Sequence, residues 1–138
     1  MDSYNSTDTA EVEIRKEYYR SGVLHYETPY VNGKRHGIKK WYYDSGDLYL
    51  EIPYVNGVRH GIEKEYYKSG ALFGETPYKK GKRHGTVKIY RESGALRYEV
   101  PYVNGKKHGL ERGYDNDNSN IYYIALYDKD RAVASVKI

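Results

Sequence analysis

Histidine and glutamate are the residues of this 138-residue chain whose types and spacing could do chemistry. Each recurs at an interval of 24 residues, and the two rows are His36, His60, His84 and His108, and Glu27, Glu51, Glu75 and Glu99. Imidazole nitrogens bind zinc, and paired carboxylates serve as the acid and base of glycoside hydrolases. The two rows therefore raise the questions of a metal site and of acid–base catalysis.

The spacing of the rows argues against both chemistries. If each repeat contributes two strands about 4.8 Å apart, equivalent atoms of adjacent repeats lie roughly 10 Å apart. Zinc bonds of about 2 Å need ligand nitrogens much closer together. A hydrolytic carboxylate pair sits about 5 to 9.5 Å apart, and identical environments give no means of separating two pKa values. We therefore expect histidines that cap turns or pack on tyrosine, and glutamates that face Lys or Arg across strands.

Other catalytic patterns are missing from the sequence. It has no cysteine, no Gly-x-Ser-x-Gly sequence and no phosphate-binding loop. These observations predict a protein that is not an enzyme and that has no metal and no cofactor.

Both rows belong to a unit that occurs four times without slippage, at 18–37, 42–61, 66–85 and 90–109. In the second copy, YYDSGDLYLEIPYVNGVRHG, Ser-Gly and Asn-Gly are turn signals on either side of an alternating segment, 48–54. Alternation places Leu48, Leu50, Ile52 and Tyr54 on one face and Tyr49, Glu51 and Pro53 on the other. Recurrent Gly and Pro exclude a helix. The pattern predicts an all-β, single-layer antiparallel meander of tandem 24-residue β-hairpin repeats in a twisted, curved sheet.

The repeats also divide the chain. Residues 1–11 are predicted to be a flexible leader, and 12–112 to hold a lead-in strand and four repeats, at about 17–40, 41–64, 65–88 and 89–112. Residues 113–138 are expected to form a degenerate fifth repeat that caps the array. Nineteen tyrosines compensate for the low aliphatic content. The lack of cysteine, of an apolar signal segment and of a long apolar run predicts a cytoplasmic location.

The pattern YYxSGxLxxExPYxxGxxHG resembles the MORN (membrane occupation and recognition nexus) type of repeat, and in particular the bacterial variant found in antitoxins of toxin–antitoxin systems. The resemblance covers roughly residues 17–112. It implies a curved sheet of hairpins that acts as a scaffold or interaction module, in some members by binding lipid and in others by neutralising a toxin. The repeats depart from the eukaryotic form because Trp41 is the only tryptophan.

Differences between the copies indicate where a partner would bind. Identical positions should serve the scaffold, and these are the rows Leu24, Leu48, Leu72 and Leu96, Tyr30, Tyr54, Tyr78 and Tyr102, and Tyr18, Tyr42, Tyr66 and Tyr90. The variable rows are His25, Tyr49, Phe73 and Arg97, Lys39, Glu63 and Val87, and Trp41, Glu65 and Ile89. Alternation predicts that the variable rows lie on the faces opposite the fixed ones.

From these rows we predict a partner-binding surface. Its expected aromatic strip consists of Trp41, Tyr43, Tyr49, Tyr67 and Phe73, and Arg35, Arg59 and Arg83 are expected to pair with partner carboxylates. Aromatic residues and arginine are the types that interface hot spots favour. An alternative interpretation is that the strip only covers the second face of a thin sheet.

The expected partner is a protein, either a toxin or an effector. The basic turns around Arg35, Arg59, Arg83 and Lys107, extended by Lys79 and Lys80, offer anionic lipid or an acidic protein as the alternative. Nucleic acid is not favoured, since a net charge of +4 is small for 138 residues. Open edge strands would allow a homodimer.

Overall fold

The computed structural model describes residues 9–116 and 119–138, and within these ranges every regular element is a β-strand. No helix of the described residues is long and apolar enough to cross a membrane. The longer strands are β1 (Val12–Tyr18), β2 (Leu24–Val31), β4 (Gly37–Tyr42), β5 (Leu48–Val55), β7 (Gly61–Tyr66), β8 (Leu72–Lys79), β10 (Gly85–Tyr90), β11 (Leu96–Val103), β13 (Gly109–Tyr114), β14 (Ile121–Asp128) and β15 (Arg131–Lys137). The two-residue strands are β3 (Lys34–Arg35), β6 (Val58–Arg59), β9 (Lys82–Arg83) and β12 (Lys106–Lys107).

The strands form one sheet of 15 strands in the order β1-β2-β4-β5-β7-β8-β10-β11-β13-β14-β15, with each short strand paired to the strand before it. Every pairing is antiparallel, and each long strand pairs with the long strands that precede and follow it in the sequence. The predicted all-β antiparallel meander is therefore confirmed. The outer edges of β1 and β15 have no partner among the described residues, and a homodimer through them stays a prediction.

The Ser-Gly turns each create a bulge in the strand that follows. In the second repeat the Tyr43 amide donates to the Asp47 carbonyl at 2.8 Å, which closes the turn. The register then shifts, since Trp41 faces Leu50 while the next residue, Tyr42, faces Leu48. Tyr49 is the extra residue of this bulge.

The Asn-Gly turns close two-residue hairpins and end in a sharp bend. Asn56 and Gly57 both have positive φ, 48° and 89°, the conformation that such a turn needs. At the bend Gly61 has a φ of 115°, and a Cβ there would lie 3.2 Å from Cγ of Pro53. The His60 amide donates to the Pro53 carbonyl at 3.1 Å. The recurrent Pro and His-Gly are thus one packing unit, which explains a proline inside the second strand.

The two faces of the sheet differ sharply in burial. Among the described residues, six other than glycine are buried, and all six lie on one face, which we call the groove face: Thr28, Ile52, Tyr54, Val87, Glu111 and Ala125. On the opposite outer face, Ile14, Ile38 and Ile62 are 58%, 48% and 50% exposed. No second layer covers the groove face within the described residues. Side chains buried on one face of a single sheet must pack on each other, and from this one-sided burial we infer that the sheet curves toward the groove face.

The outer face carries a row of alternating charge. Each glutamate of the ladder lies between two basic residues across the strands, as Glu51 does between Lys40 and Lys64. The glutamates therefore have the predicted cross-strand Lys or Arg neighbours, and each also accepts a hydrogen bond from a tyrosine, which was not predicted. The donors are Tyr42 to Glu27, Tyr66 to Glu51, Tyr90 to Glu75 and Tyr114 to Glu99.

The two ends of the chain differ from the four repeats. The predicted leader lies mostly outside the described residues, and Glu11 is joined to Asn32 by backbone and side-chain hydrogen bonds of 2.8 and 2.9 Å. Residues 121–137 add two more strands beyond the four repeats. Their turn replaces Asn-Gly by Lys129 and Asp130, both with positive φ, and Asp130 accepts from the Lys107 amide at 2.7 Å.

Candidate protein-binding face

The four histidines join successive repeats. Nδ1 of His36 accepts a hydrogen bond from the Asn56 amide at 3.2 Å, and His60 accepts from Lys80 at 3.3 Å. His84 and His108 do the same with the next two turns, at 3.2 and 3.4 Å. The predicted turn-capping role is confirmed. Among the described residues no group of three or more His, Asp or Glu is placed to hold a metal ion.

The three arginines of the predicted surface stack on tyrosines of the following repeat. The guanidinium carbons of Arg35, Arg59 and Arg83 lie 4.5, 5.1 and 4.4 Å from the ring centres of Tyr54, Tyr78 and Tyr102. Each also donates to the hydroxyl of the same tyrosine, at 3.3, 2.9 and 3.2 Å. Each arginine therefore has contacts within the chain, and its pairing with partner carboxylates stays a prediction.

Two aromatic pairs lie at the Ser-Gly end of the groove face. The rings of Tyr43 and Tyr49 are 4.8 Å apart, and those of Tyr67 and Phe73 are 5.1 Å apart. The hydroxyls of Tyr43 and Tyr67 donate to main-chain carbonyls one repeat further on, both at 2.7 Å. These hydrogen bonds fix the orientation of the two tyrosines, and all four rings are half-buried.

Trp41 belongs to a third cluster, with residues of the preceding repeat. Its ring lies 4.6 Å from Tyr26 and 5.1 Å from His25, and Nζ of Lys39 is 4.7 Å from the indole. His25 in turn stacks on Tyr19 at 4.1 Å. The indole nitrogen is buried without a hydrogen-bond partner. Burial lowers the pKa of Lys39, and Arg35 and Arg59 lower it further.

The centre of the groove face carries two carboxylates, Glu63 and Glu65, on β7. Burial raises the pKa of both. Glu63 forms an ion pair with Arg59 at 3.4 Å. Glu65 has no hydrogen bond or ion pair with any described residue. It lies across the strands from Leu50 and Gly74, neither of which offers a polar side chain.

A concavity of 530 Å³ occupies the C-terminal part of the groove face, where Ile89, Val100 and Tyr123 contribute to its lining. Tyr98 and Tyr122 also line it, and their hydroxyls are 3.1 Å apart. This hydrogen bond, together with Arg97 and Arg91, lowers the pKa of Tyr98. The nearby Glu111 is buried and paired with Lys107 at 3.0 Å.

The predicted division into fixed and variable faces is wrong in two respects. The bulge breaks the alternation, so Tyr49 does not join Glu51 and Pro53 on the outer face. It lies on the groove face instead. There burial raises the pKa of Tyr49, and the nearby Glu65 carboxylate raises it further. The fixed Tyr54 row also lies on the groove face, two residues from Ile52, which faces Lys39. Positions that are identical in all four copies and positions that differ between copies therefore lie together on the groove face.

The five predicted aromatic residues all lie on the groove face or at its Ser-Gly rim, in three clusters. Sequence reasoning noted Glu63 and Glu65 only as variable positions and did not include them in the site. The signal was present, because their counterparts are Lys39 and Trp41 in one copy and Val87 and Ile89 in another. Two carboxylates at positions that are apolar in another copy indicate a role outside the scaffold.

Comparisons with known proteins identify the repeat. The family model of the MORN repeat variant matches 14–32, 35–56, 59–80 and 83–104, more than half of the chain. No curated protein gives a significant match. Among solved structures, the chain is similar to part of a mutant of S. aureus TarM, crystallised with fondaparinux, α-GlcNAc-glycerol and UDP. The identity is 12% and the TM-score 0.47, over 70% of this chain and 19% of that one, so the chain spans about a fifth of that protein and the similarity says nothing of activity.

Proposed function

This chain belongs to the MORN repeat variant family, and from that premise we propose that it is a non-enzymatic protein-binding module that holds its partner on the groove face. MORN repeats are generally interaction modules for proteins or lipids. The observation that supports the proposal is a half-buried aromatic face that no second layer covers in the described part of the chain. Tyrosine, tryptophan and arginine set in a concave, partly desolvated surface are typical of binding hot spots.

The finer form of the proposal is an antitoxin or immunity-type protein that neutralises a partner toxin in the cytoplasm. It is supported by the resemblance of the repeats to the bacterial antitoxin variant. In this form of the proposal, the chain neutralises the toxin by covering the surface that the toxin needs for its activity. A scaffold whose half-buried rings are already held in place can do so with little loss of conformational entropy on binding.

Co-expression with the product of the adjacent gene tests this form. We expect the adjacent gene to be toxic alone and harmless together with the wild-type chain. A variant with Trp41→Ala and Phe73→Ala should fail to protect, while Ile38→Ala with Ile62→Ala on the outer face should protect fully. An adjacent gene that is harmless alone removes the antitoxin form. Protection by the groove variant removes the groove face as the binding surface.

A second candidate function is a peripheral scaffold that binds anionic lipid or an acidic partner through the basic turns. It is favoured by the third Asn-Gly-type turn, where Lys79, Lys80 and Lys82 are exposed and line a concavity of 450 Å³ with Asn104. Co-sedimentation with phosphatidylserine vesicles at low salt, lost in moderate salt, would support it. Absence of sedimentation at low salt would exclude it.

A further inference from the structure

The two carboxylates Glu63 and Glu65 are an exception because no other described strand has two acids at these positions. They occupy the two groove-face positions of β7, where β4 has Lys39 and Trp41 and β10 has Val87 and Ile89. The equivalent positions of β1 and β13 carry one acid each, Glu17 and Glu111. The scaffold does not need acid here, because the same fold is built with apolar or basic residues at these positions in the neighbouring copies. The two carboxylates are therefore free to serve recognition.

Only one of the two carboxylates is satisfied within the chain. Arg59 holds Glu63 at 3.4 Å and opposes the effect of burial, which raises the pKa of Glu63. Glu65 has no such partner in the described ranges, although burial raises its pKa as well. A partly desolvated charge without a partner is unfavourable, and a cationic ligand would remove that cost.

The strand register places one aromatic residue next to Glu65 on each of the two neighbouring strands. Its cross-strand neighbours are Leu50 and Gly74, which directly follow Tyr49 and Phe73 in the sequence. In the preceding repeat the residues equivalent to Tyr49 and Glu65 are His25 and Trp41, whose rings are 5.1 Å apart. The Glu65 carboxylate accordingly contributes to the raised pKa of Tyr49, after burial.

We propose that the groove face takes a linear segment of a protein partner that carries one arginine, seated between Tyr49 and Phe73 on the Glu65 carboxylate. The proposal rests on the proposed function and specifies the chemistry of the partner. A guanidinium suits this site because its plane stacks on aromatic rings while its edge donates to a carboxylate. The stacking of Arg59 on Tyr78 beside Glu63 shows the same combination within the chain.

The surrounding charges limit the occupant further. Lys39 and Arg97 lie on the groove face toward either end, so additional basic residues of the segment would be repelled there. A divalent cation does not fit, because calcium requires about six to eight oxygen ligands and Glu63 is already paired with Arg59. An acidic segment would place its charge next to an unpaired carboxylate.

A random linear-peptide phage library panned on the whole chain tests the proposal. Enriched peptides would be synthesised, and their dissociation constants measured by calorimetry with wild type, Glu65→Gln and Glu92→Gln. Glu92 is an exposed turn glutamate and serves as the matched control. Each peptide would also be made with citrulline, which keeps the shape of arginine without its charge, and with lysine.

We expect the enriched peptides to share one arginine. Glu65→Gln should weaken them about 10- to 100-fold and Glu92→Gln should not, and the citrulline peptides should bind wild type and Glu65→Gln equally. The inference is overturned if the peptides require Trp41 and Phe73 but share no arginine, or if Glu65→Gln leaves their affinity unchanged. In both cases the proposed function still holds. Peptides that bind the Trp41→Ala, Phe73→Ala variant as tightly as wild type contradict both the inference and the proposed function. Failure to enrich any peptide overturns the inference.

Discussion

The hydroxyl of Tyr66 donates a 2.6 Å hydrogen bond to the carboxylate of Glu51, one repeat earlier in the chain. Glu51 also lies between Lys40 and Lys64 on neighbouring strands. The hydrogen bond therefore joins β5 to β7 on the outer face, and the same tyrosine-to-glutamate bond recurs with Tyr42, Tyr90 and Tyr114. A single-layer sheet with little buried apolar surface depends on such links between repeats.

The Tyr66–Glu51 hydrogen bond should make stability fall at high pH. Burial, with the help of Glu51, raises the pKa of Tyr66 from 10.0 to about 12. The folded chain holds the phenol proton more tightly than the unfolded chain does. The contribution of this group is therefore complete below pH 10 and is lost as the pH rises toward 12.

Urea unfolding of wild type and Tyr66→Phe across this range measures the effect. At neutral pH the variant should lose about 1 kcal/mol of unfolding free energy with the hydrogen bond. The difference between the two proteins should shrink as the pH approaches 12, where Tyr66 of the wild type ionises. A difference that stays constant with pH contradicts the assignment.

The His-Gly bends should tolerate alanine less well than the Ser-Gly turns. Gly85 has a φ of 117°, and an added Cβ would lie 3.0 Å from Cγ of Pro77. Gly70 has a φ of 93° with nothing within 4 Å of an added Cβ. Gly70→Ala should cost about 1 kcal/mol for the left-handed backbone alone, and Gly85→Ala about 2 to 3 kcal/mol. Thermal and urea unfolding would show equal losses if the proline contact were unimportant.

Removing the charge of Glu65 should stabilise the isolated protein. Burial raises its pKa, so the folded chain binds this proton more tightly than the unfolded chain. The ionised form therefore lowers stability as the pH rises through the carboxyl range. Glu65→Gln should exceed wild type in unfolding free energy at pH 7 and match it in acid, whereas lower stability at pH 7 would mean that Glu65 has a partner in the chain.

Arg59 should control the protonation of Glu63. It forms an ion pair with Glu63 at 3.4 Å and lowers the pKa that burial raises. Arg59→Ala should raise the Glu63 pKa further, as followed by carbon-detected NMR titration of the carboxyl group. Arg35→Ala is the control, and it should leave Glu63 unchanged because Arg35 stacks on Tyr54. An unchanged Glu63 titration in Arg59→Ala would contradict the ion pair.

The sheet could be predicted from the sequence because turn residues and alternation recur in register. Four copies of Ser-Gly and Asn-Gly fix where the chain reverses, and short turns force neighbours to pair antiparallel. The roles of Pro53 and Gly61 could not be seen in the same way. Their contact of 3.2 Å exists only once the bend has formed.

The groove face was harder to predict, because one bulge residue reverses the alternation that sequence reasoning relies on. Tyr49 follows Leu48, and a regular strand would place it with Glu51 on the outer face. The register shift at Trp41 and Tyr42 moves it to the groove instead. The unpaired state of Glu65 also depends on cross-strand neighbours, which a single repeat does not reveal.

Binding of a protein partner on the groove face can be measured with the purified components. Isothermal titration of the purified partner against the Trp41→Ala, Phe73→Ala variant and the Ile38→Ala, Ile62→Ala variant tests it most directly, with circular dichroism to confirm that both are folded. We expect the groove variant to lose roughly 100-fold or more in affinity while the outer-face variant stays within about threefold of wild type. Wild-type affinity in the groove variant, or a larger loss in the outer-face variant, would contradict it.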